Sequence, residues 1–344
     1  MMGKVKHTLY LVTGLCVALI ASTSTAQERL KMSVMAPGTS SYQFMTTFAT
    51  NANSTVPNLQ ILIDAQGVQT KHMLDLARGK TDIAMTSPTA MDHLANGTGM
   101  FQQTANAPDL ARKLRLLFWF PNGPYHAAVQ PDQEAFRVKD LKGQRIFLGP
   151  PGSDDFLLMR DWLEASARLS FGVDYEPFNG GWLEAITAFR KGEIDVYYSP
   201  GIPPHTHIST LARGRDIRII GVTSGERSSI EADTSLDANT QVSTLGRRFE
   251  NIPVGSYGDG VSQREILFGP GGLAGIIVNE DLDADLVYEM VKAFWQNKGQ
   301  LNSRGEFMRS FSDNNALIDT SVKLHPGAVR YYEEAGWQVP NALK

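Results

Sequence analysis

Short apolar segments alternate with amphipathic ones after residue 27, and this alternation limits the possible folds more than any other feature. Strands separated by helices in this way favour an α/β fold with mainly parallel sheets. The pattern predicts strands at residues 30–36, 59–65, 82–86, 114–120, 127–130, 145–149, 195–199, 217–222 and 273–278. It predicts helices at residues 41–54, 70–78, 156–169, 182–191 and 282–299.

Three of the predicted strands end in loops rich in glycine, proline and serine, at residues 36–41, 149–154 and 199–204. In open α/β sheets such loops lie at the carboxyl ends of the strands, where ligands bind and helix N-termini present free N–H groups. One such loop is explained by an ordinary strand-to-helix turn. Three of them, spread over both halves of the chain, indicate a binding cleft.

The chain has 344 residues, which is enough for about two ordinary domains. A linker is predicted at Pro121-Asn122-Gly123-Pro124, where turn residues follow a strand. Residues 223–265 have weak periodicity and are expected to return toward the first domain. We therefore expect one lobe from residues 27–124 plus 266–344 and a second lobe from residues 125–265.

Residues 1–26 are typical of an export signal peptide. Lys4 and Lys6 form a basic start, residues 9–20 carry no charge, and Ser24-Thr25-Ala26 supplies the small residues of a cleavage site. A twelve-residue apolar run is too short to span a bilayer, which takes about 20 residues. A buried N-terminal helix is the alternative interpretation. Lipidation of Cys16 is not expected, because Leu15 stands where a small residue is required.

Removal of this segment would leave a periplasmic chain without cysteine, because Cys16 is the single cysteine. Disulfides, thiolate nucleophiles and cysteine-ligated metals are then excluded. The full chain has a net charge of −4, which becomes −6 without the two lysines of the signal. An acidic balance gives no reason to expect nucleic-acid binding, which usually needs a basic surface.

No motif for hydrolysis, metal binding or nucleotide binding is convincing. Residues 269–274 match the GxGxxA spacing of dinucleotide sites, but a strand rather than a helix is predicted after them. His205 and His207 could form a metal pair; with no third ligand nearby, they are interpreted as surface histidines. We therefore expect no catalytic residue, no metal and no cofactor, and hence no enzyme.

Asp154 and Asp155 follow Gly152-Ser153 directly before a predicted helix. One interpretation is structural: acids in the first turn interact favourably with the helix dipole. The other is functional: one carboxylate lies on the floor of the cleft and faces a ligand amine or hydroxyl. The two interpretations are compatible.

Three further segments resemble a known family, the TAXI-type solute receptors of TRAP transporters. Residues 143–153 (GQRIFLGPPGS) are similar to its "DLKGKRV..G.PGSGT" region, and residues 192–203 (GEIDVYYSPGIP) to "G.iDAff...G.P". Residues 324–336 (LHPGAVRYYEEAG) resemble its "LHPGA.RYYKE.G" ending and are predicted to form a capped helix docked on the first lobe. The resemblance implies a two-lobed periplasmic binding protein of type II, a Venus-flytrap with a mainly parallel sheet in each lobe.

The sequence departs from the family where ligands are expected. Residues 37–44 (PGTSSYQF) replace "GTGG.YYP", and residues 67–72 (GVQTKH) replace "GGS..N", so that Gln69 and His72 stand for the usual Ser and Asn. Asp154 stands where "PGSGT" has glycine. Family ligands include glutamate and 2-oxoglutarate; Asp154 would repel a ligand carboxylate, whereas Lys71 or His72 could attract one.

The sequence therefore predicts a receptor that captures a small polar molecule, carboxylate or amino-acid-like, and delivers it to a TRAP-type permease. Tyr42 and Trp182 could supply an aromatic wall, although Trp182 fits a core position equally well. An ABC-importer receptor or a sensor on the same fold, and a secreted hydrolase, are the alternatives. The predicted ligand contacts are Ser40, Ser41, Tyr42, Gln66, Gln69 and Ser87 from the first lobe and Ser153, Asp154 and Gly201 from the second.

Overall fold

A computed structural model describes residues 27–135, 137–232, 248–320 and 322–344. The predicted signal peptide, residues 1–26, lies outside the described residues. The strands are β1 (Glu28–Ser33), β2 (Leu59–Asp64), β3 (Ile83–Thr86), β4 (Leu114–Val129), β5 (Arg145–Phe147), β6 (Glu176–Pro177), β7 (Val196–Pro200), β8 (Ile217–Ile220), β9 (Arg248–Ile252), β10 (Val261–Ser262) and β11 (Leu267–Asn279).

The helices lie between these strands and after the last of them. None of those in the described residues is both long and apolar enough to cross a membrane. The helices are α1 (Ser40–Thr55), α2 (Gln69–Ala77), α3 (Pro88–Asn96), α4 (Ala107–Arg112), α5 (Asp154–Ala167), α6 (Trp182–Lys191), α7 (Thr206–Leu211), α8 (Ser224–Glu231), α9 (Ala284–Gln296), α10 (Lys298–Leu301), α11 (Glu306–Arg309), α12 (Asp313–Ala316) and α13 (Pro326–Glu334).

The strands form a continuous path in the order β2-β1-β3-β11-β4-β7-β5-β6, with β8 and β9 attached to β4 and β11. At one end of the path β1 pairs in parallel with β2 and β3. At the other end β5 pairs in parallel with β6 and β7, and β8 with β10. The long strands β4 and β11 run antiparallel to each other and to their neighbours.

The buried side chains divide the molecule into two lobes. Lobe 1 has a single core, in which α1, α2, α3, α9 and α13 pack on β1–β3 and on the adjoining halves of β4 and β11. Lobe 2 has a core on each face of its sheet, because successive strand residues point to opposite sides. Ile146 faces the core beneath α5, and Phe147 faces the core beneath α6 and α7.

Strand β4 passes from lobe 1 into lobe 2 through Pro121-Asn122-Gly123-Pro124. The prediction that a strand ends there is wrong, because β11 lies alongside and pairs Leu273 with Pro121 and Gly272 with Gly123. A register shift follows Gly272, and Gly123 has a φ of 81°, so the strand bends rather than stops. The proline carbonyls still accept hydrogen bonds; that of Pro124 accepts from the Gly201 N–H at 3.1 Å.

The predicted α/β fold with two lobes is confirmed. Helix α6 has the predicted bounds, and α1, α2, α5 and α9 differ from the predicted helices by one to three residues at each end. Residues 269–274, which match the GxGxxA spacing, lie inside β11. The C-terminal motif forms α13, which begins at Pro326 and docks on lobe 1 through a hydrogen bond from the Tyr332 hydroxyl to the Leu117 carbonyl, 2.9 Å.

Candidate functional site

The first predicted loop meets the third where α1 and α7 begin. Thr39 caps α1 by accepting from the Tyr42 N–H. The next residue, Ser40, accepts a hydrogen bond from the backbone N–H of Ile202 at 3.0 Å. Ser40 belongs to lobe 1 and Ile202 to lobe 2, so this bond joins the lobes.

A group of buried histidines lies behind this contact. His207 donates through Nε2 to the carbonyl of Pro37 in lobe 1, 3.2 Å away, and accepts through Nδ1 from the Tyr197 hydroxyl, 2.9 Å away. Burial lowers the pKa of His207 and His205, and lowers that of His126 to about 4. The three rings are therefore neutral near pH 7, and His207 takes part in the lobe contact in that form.

The interpretation of His205 and His207 as surface histidines is wrong. They are 1% and 2% exposed, because α7 packs its first turn against lobe 1 and the lobe 2 core. His205 is the residue directly before α7 and is not part of the helix, and its ring meets that of His207 at a centroid distance of 5.1 Å. In the part of the chain that the structure describes, no three His, Cys, Asp or Glu side chains could hold a metal ion.

The second predicted loop meets lobe 1 where α5 begins. Ser153 caps α5 by accepting from the Phe156 N–H at 3.1 Å, which places Asp154 and Asp155 in the first turn. The Ser87 hydroxyl of lobe 1 donates to Oδ2 of Asp154 at 2.6 Å. The N-terminal turn of α5 thus faces the loop between β3 and α3, and the carboxylate of Asp154 lies at the lobe boundary.

A cavity of about 30 Å³ lies between these elements. That volume is close to the space one water-sized group takes. Both lobes and the crossing segments of β4 and β11 contribute to its walls. The lining residues are Gln69, Met85, Ser87, Pro88, Thr89, Asn122, Tyr125, Asp154, Asp155, Leu158, Gly271, Gly272, Leu273 and Ala274.

Three buried polar atoms on this lining have no hydrogen-bond partner among the described residues: Oδ1 of Asp154, Oδ1 of Asn122 and Nε2 of Gln69. Asp154 is 8% exposed and Gln69 is 4% exposed. A buried polar atom without a partner costs about 1–3 kcal/mol, and a charged one costs more. The cavity therefore has two acceptors and one donor available to a bound molecule.

Asp155 completes the acidic side of the cavity. Its Oδ1 accepts a hydrogen bond from the Tyr125 hydroxyl. Burial raises the pKa of Asp155 to about 6; the neighbouring charge of Asp154 adds to this rise, and the Tyr125 hydrogen bond opposes it. Asp155 therefore holds its proton more firmly than an ordinary carboxyl group.

Of the predicted contacts, Gln69, Ser87 and Asp154 lie together on the cavity lining. Ser40, Ser153 and Gly201 lie on the loops around it, where Ser40 joins the lobes, Ser153 caps α5 and Gly201 adjoins Gly123. The other three lie outside the lining: Ser41 bonds to Thr39 within lobe 1, Tyr42 packs against the lobe 1 core, and Gln66 is exposed.

The residues that could attract a carboxylate also lie outside this lining. Lys71 is exposed and forms an ion pair with Asp75 one turn along α2. The ring of His72 is buried and donates through Nε2 to the Gln66 carbonyl at 2.6 Å. Trp182 takes the core position, with its ring against Phe147 in lobe 2.

Asn122 and Tyr125 are lining residues that the sequence analysis did not select. Asn122 belongs to the segment interpreted as a linker, residues 121–124, and Tyr125 follows that segment directly. A strand that passes between two lobes lines the cleft that they enclose, but residues 121–124 were interpreted as a chain break, so neither Asn122 nor Tyr125 was selected.

The sequence profile of the NMT1-like family matches residues 36–336 of the chain. Among solved structures, the chain is similar to the alkanesulfonate-binding protein SsuA from Xanthomonas axonopodis pv. citri bound to MOPS, with 16% identity, a TM-score of 0.49 and coverage of 92% of this chain and 82% of that one. A TRAP periplasmic solute binding protein from Polaromonas sp. JS666 bound to D-erythronate has 12% identity, a TM-score of 0.47 and coverage of 90% and 87%. DctP7, a Bordetella pertussis extracytoplasmic solute receptor binding pyroglutamic acid, has 13% identity, a TM-score of 0.45 and coverage of 83% and 86%.

Proposed function

The chain belongs to the NMT1-like family, and from that premise we propose that it is a periplasmic solute-binding receptor. It binds a small polar molecule between its two lobes and delivers it to a membrane permease. Residues 1–26 act as the signal peptide for export. The protein performs no chemistry on the molecule.

One observation carries this proposal: the lobes enclose a cavity whose lining has buried polar atoms without partners, while Ser87 and Asp154 bond across its edge. Folding leaves these atoms without hydrogen bonds, which costs free energy. A bound molecule that pairs with them recovers that free energy. Polar contacts from both lobes also mean that the molecule binds the closed arrangement better than an open one. This differential affinity is what drives closure.

The lobes comprise residues 27–124 plus 266–344 and residues 125–265, and the crossings of β4 and β11 are the hinge. Support comes from Gly123 and Gly272, which pair with each other at the crossing beside a register shift. Two strands that bend at one level allow the lobes to rotate while both sheets stay intact.

Gln69, Ser87 and Asp154 contact the ligand, and Ser40, Ser153 and Gly201 hold the surrounding loops in the closed form. Ser41, Tyr42 and Gln66 are proposed as further contacts only for a ligand that extends beyond this cavity, because none of the three lies on its lining.

The permease partner is of the TRAP type, and the receptor is of the TAXI class. Support comes from the three segments that resemble the TAXI family, which lie in three separate parts of the fold. Residues 143–153 lead into α5, residues 192–203 include β7 and the loop to α7, and residues 324–336 include α13. The alternatives are an ABC importer or a sensor that uses the same binding step.

A thermal-shift screen of carboxylates, amino acids, amines and polyols tests the binding step, because a ligand of the folded state raises the melting temperature by mass action. No stabilisation by any compound, together with turnover of an ester or phosphate, would refute the receptor function. For the partner, proteoliposomes containing the permease encoded beside the gene should take up the ligand with an ion gradient. Uptake that needs ATP instead would assign the protein to an ABC importer.

A further inference from the structure

The cavity between the lobes has acidic groups and no basic group to balance them. Asp154 and Asp155 both line it, and none of the described lining residues is Lys, Arg or His. Neither acid forms an ion pair with a cation of the described chain at 4.0 Å or less. The N-terminus of α5 and the Ser87 hydroxyl offset part of the cost of burying these acids, but no cation of the lining does so, and a bound cation would supply the missing opposite charge.

Asp154 is the carboxylate that lacks compensation. Ser87 satisfies Oδ2, whereas Oδ1 is buried and has no partner among the described residues. Asp155, in contrast, receives the Tyr125 hydroxyl. The negative charge that a ligand meets in the closed cleft is therefore centred on Oδ1 of Asp154.

The other unpartnered atoms describe the rest of the ligand. Oδ1 of Asn122 is a second acceptor on the same lining, and Nε2 of Gln69 is a donor. A primary ammonium has three N–H donors and no acceptor, so it can serve both Asp154 and Asn122. Gln69 then needs an acceptor oxygen next to the ammonium. The volume of about 30 Å³ gives room for a small polar head group of the ligand.

We propose that the cleft selects an organic cation, a small molecule with a primary ammonium and a neighbouring hydroxyl or carbonyl oxygen, and that Asp154 is its counter-ion. This inference rests on the receptor function proposed above and narrows its ligand. It opposes the sequence-based expectation of a carboxylate, because a ligand carboxylate would add a further negative charge beside two acids. A metal ion is a poorer occupant, since Gln69 presents a donor and the described residues hold no cluster of metal-ligating side chains.

Three two-carbon compounds test the charge alone: 2-aminoethanol, 1,2-ethanediol and glycolate each carry one hydroxyl group, and they differ in the group next to it, which is an ammonium, a second hydroxyl or a carboxylate. Titration calorimetry at pH 7.5 should show the amino alcohol binding at least tenfold more tightly than the other two. Asp154→Asn should weaken the binding of the amino alcohol at least tenfold. Glu164→Gln is the matched control, because it removes a carboxylate from the exposed face of the same helix and should change nothing.

The ligand-free proteins give a second readout. Asp154→Asn removes an unpaired buried charge and should raise the melting temperature by about 2–4 °C. If Asp154 is purely structural, the melting temperature should instead fall, because the amide loses the interaction of a first-turn carboxylate with the helix dipole and accepts a weaker hydrogen bond from Ser87. A lower melting temperature, together with unchanged binding of the amino alcohol, would overturn the inference.

Other outcomes separate this inference from the receptor function. Tighter binding of glycolate than of 2-aminoethanol would overturn the proposal of a cationic ligand and leave the proposed receptor function intact. If calcium chloride stabilises the wild type as much as the amino alcohol does, and Asp154→Asn loses that stabilisation, the site binds a metal ion. That result would also overturn the proposal of an organic ligand. Native mass spectrometry of the protein purified from its periplasm should release an amine; release of an acid would overturn the inference, while still showing that the protein carries a solute.

Discussion

At the scale of single residues, Asp155 makes the stability of the protein depend on pH. Its pKa is about 6 in the folded protein against an ordinary value of 3.8, so between these values the folded state binds more protons than the unfolded state. Stability must then fall as the pH rises from about 4 to about 6. A difference of about two pKa units corresponds to about 3 kcal/mol of unfolding free energy, and this stabilisation is lost above about pH 6.

Asp155→Asn should abolish this dependence, because an amide does not titrate. We expect the variant to be more stable than the wild type by about 2–3 kcal/mol at pH 7.5 and to lose that advantage at pH 4.5. Urea unfolding at both values measures it. The comparison between the two proteins cancels His126, whose lowered pKa acts in the opposite direction in both. A difference between variant and wild type that stays constant with pH would contradict the assignment.

The lining residues differ in how far the sequence could predict them. Ser87 and Asp154 follow strands and begin helices, a position at which small polar residues indicate a cleft. Asn122 and Tyr125 lie inside a strand, and their role depends on where β4 crosses between the lobes. That crossing is set by the pairing of Gly123 with Gly272, far away in the sequence, and no local pattern contains it.

At the scale of elements, one buried hydroxyl contributes to the docking of α13 on lobe 1. Tyr332 is fully buried, donates to the Leu117 carbonyl at 2.9 Å and accepts from Nε1 of Trp295 at 3.2 Å. Tyr332→Phe should therefore cost about 1–2 kcal/mol of unfolding free energy and leave ligand affinity unchanged. Tyr331→Phe, one residue earlier on the same helix and half-buried, is the control and should cost less than about 0.5 kcal/mol. Equal losses would show that α13 does not depend on this bond.

The crossing of β4 needs glycine at position 123 for two reasons. Its φ is 81°, and a side chain there would overlap the backbone of Gly201 in lobe 2. Gly143 has the same φ of 81°, but an added Cβ would meet nothing within 4 Å. Gly143→Ala should therefore show the backbone cost alone, about 1–2 kcal/mol, and Gly123→Ala should cost clearly more. Thermal unfolding of both variants tests this, and equal costs would mean that the lobes do not approach closely at the crossing.

At the crossing, the prediction of strands from the sequence failed. Proline and glycine at residues 121–124 are ordinary signs of a chain break, and the prediction treated them so. The partner strand β11 outweighs that local preference, since it supplies pairing along β4 on both sides of the bend. Helix bounds were predicted well because their caps and apolar faces are local features, whereas a bent strand is defined by its neighbour.

At the scale of the whole molecule, two lobes and three facing loops could be predicted from alternation and loop composition. The contacts that close the lobes could not, because they join residues such as Ser40 and Ile202 that are 162 positions apart. Closure is set by a few specific hydrogen bonds between loops, each worth about 1 kcal/mol. The balance between open and closed forms therefore depends on single side chains.

Ser40 and Ser41 offer a matched test of that balance. They are adjacent, both buried and both at the start of α1, but the Ser40 hydroxyl accepts across the lobes from Ile202 and the Ser41 hydroxyl bonds to Thr39 within lobe 1. Ser40→Ala should remove about 1 kcal/mol from the closed form and raise the ratio of open to closed molecules about fivefold, whereas Ser41→Ala should not. Because residues 27–344 contain no cysteine, spin labels at Thr50→Cys in lobe 1 and Val173→Cys in lobe 2 can report the distance distribution by double electron–electron resonance. A new population at a changed distance in Ser40→Ala alone would establish that this bond controls closure, and identical distributions in both variants would exclude it.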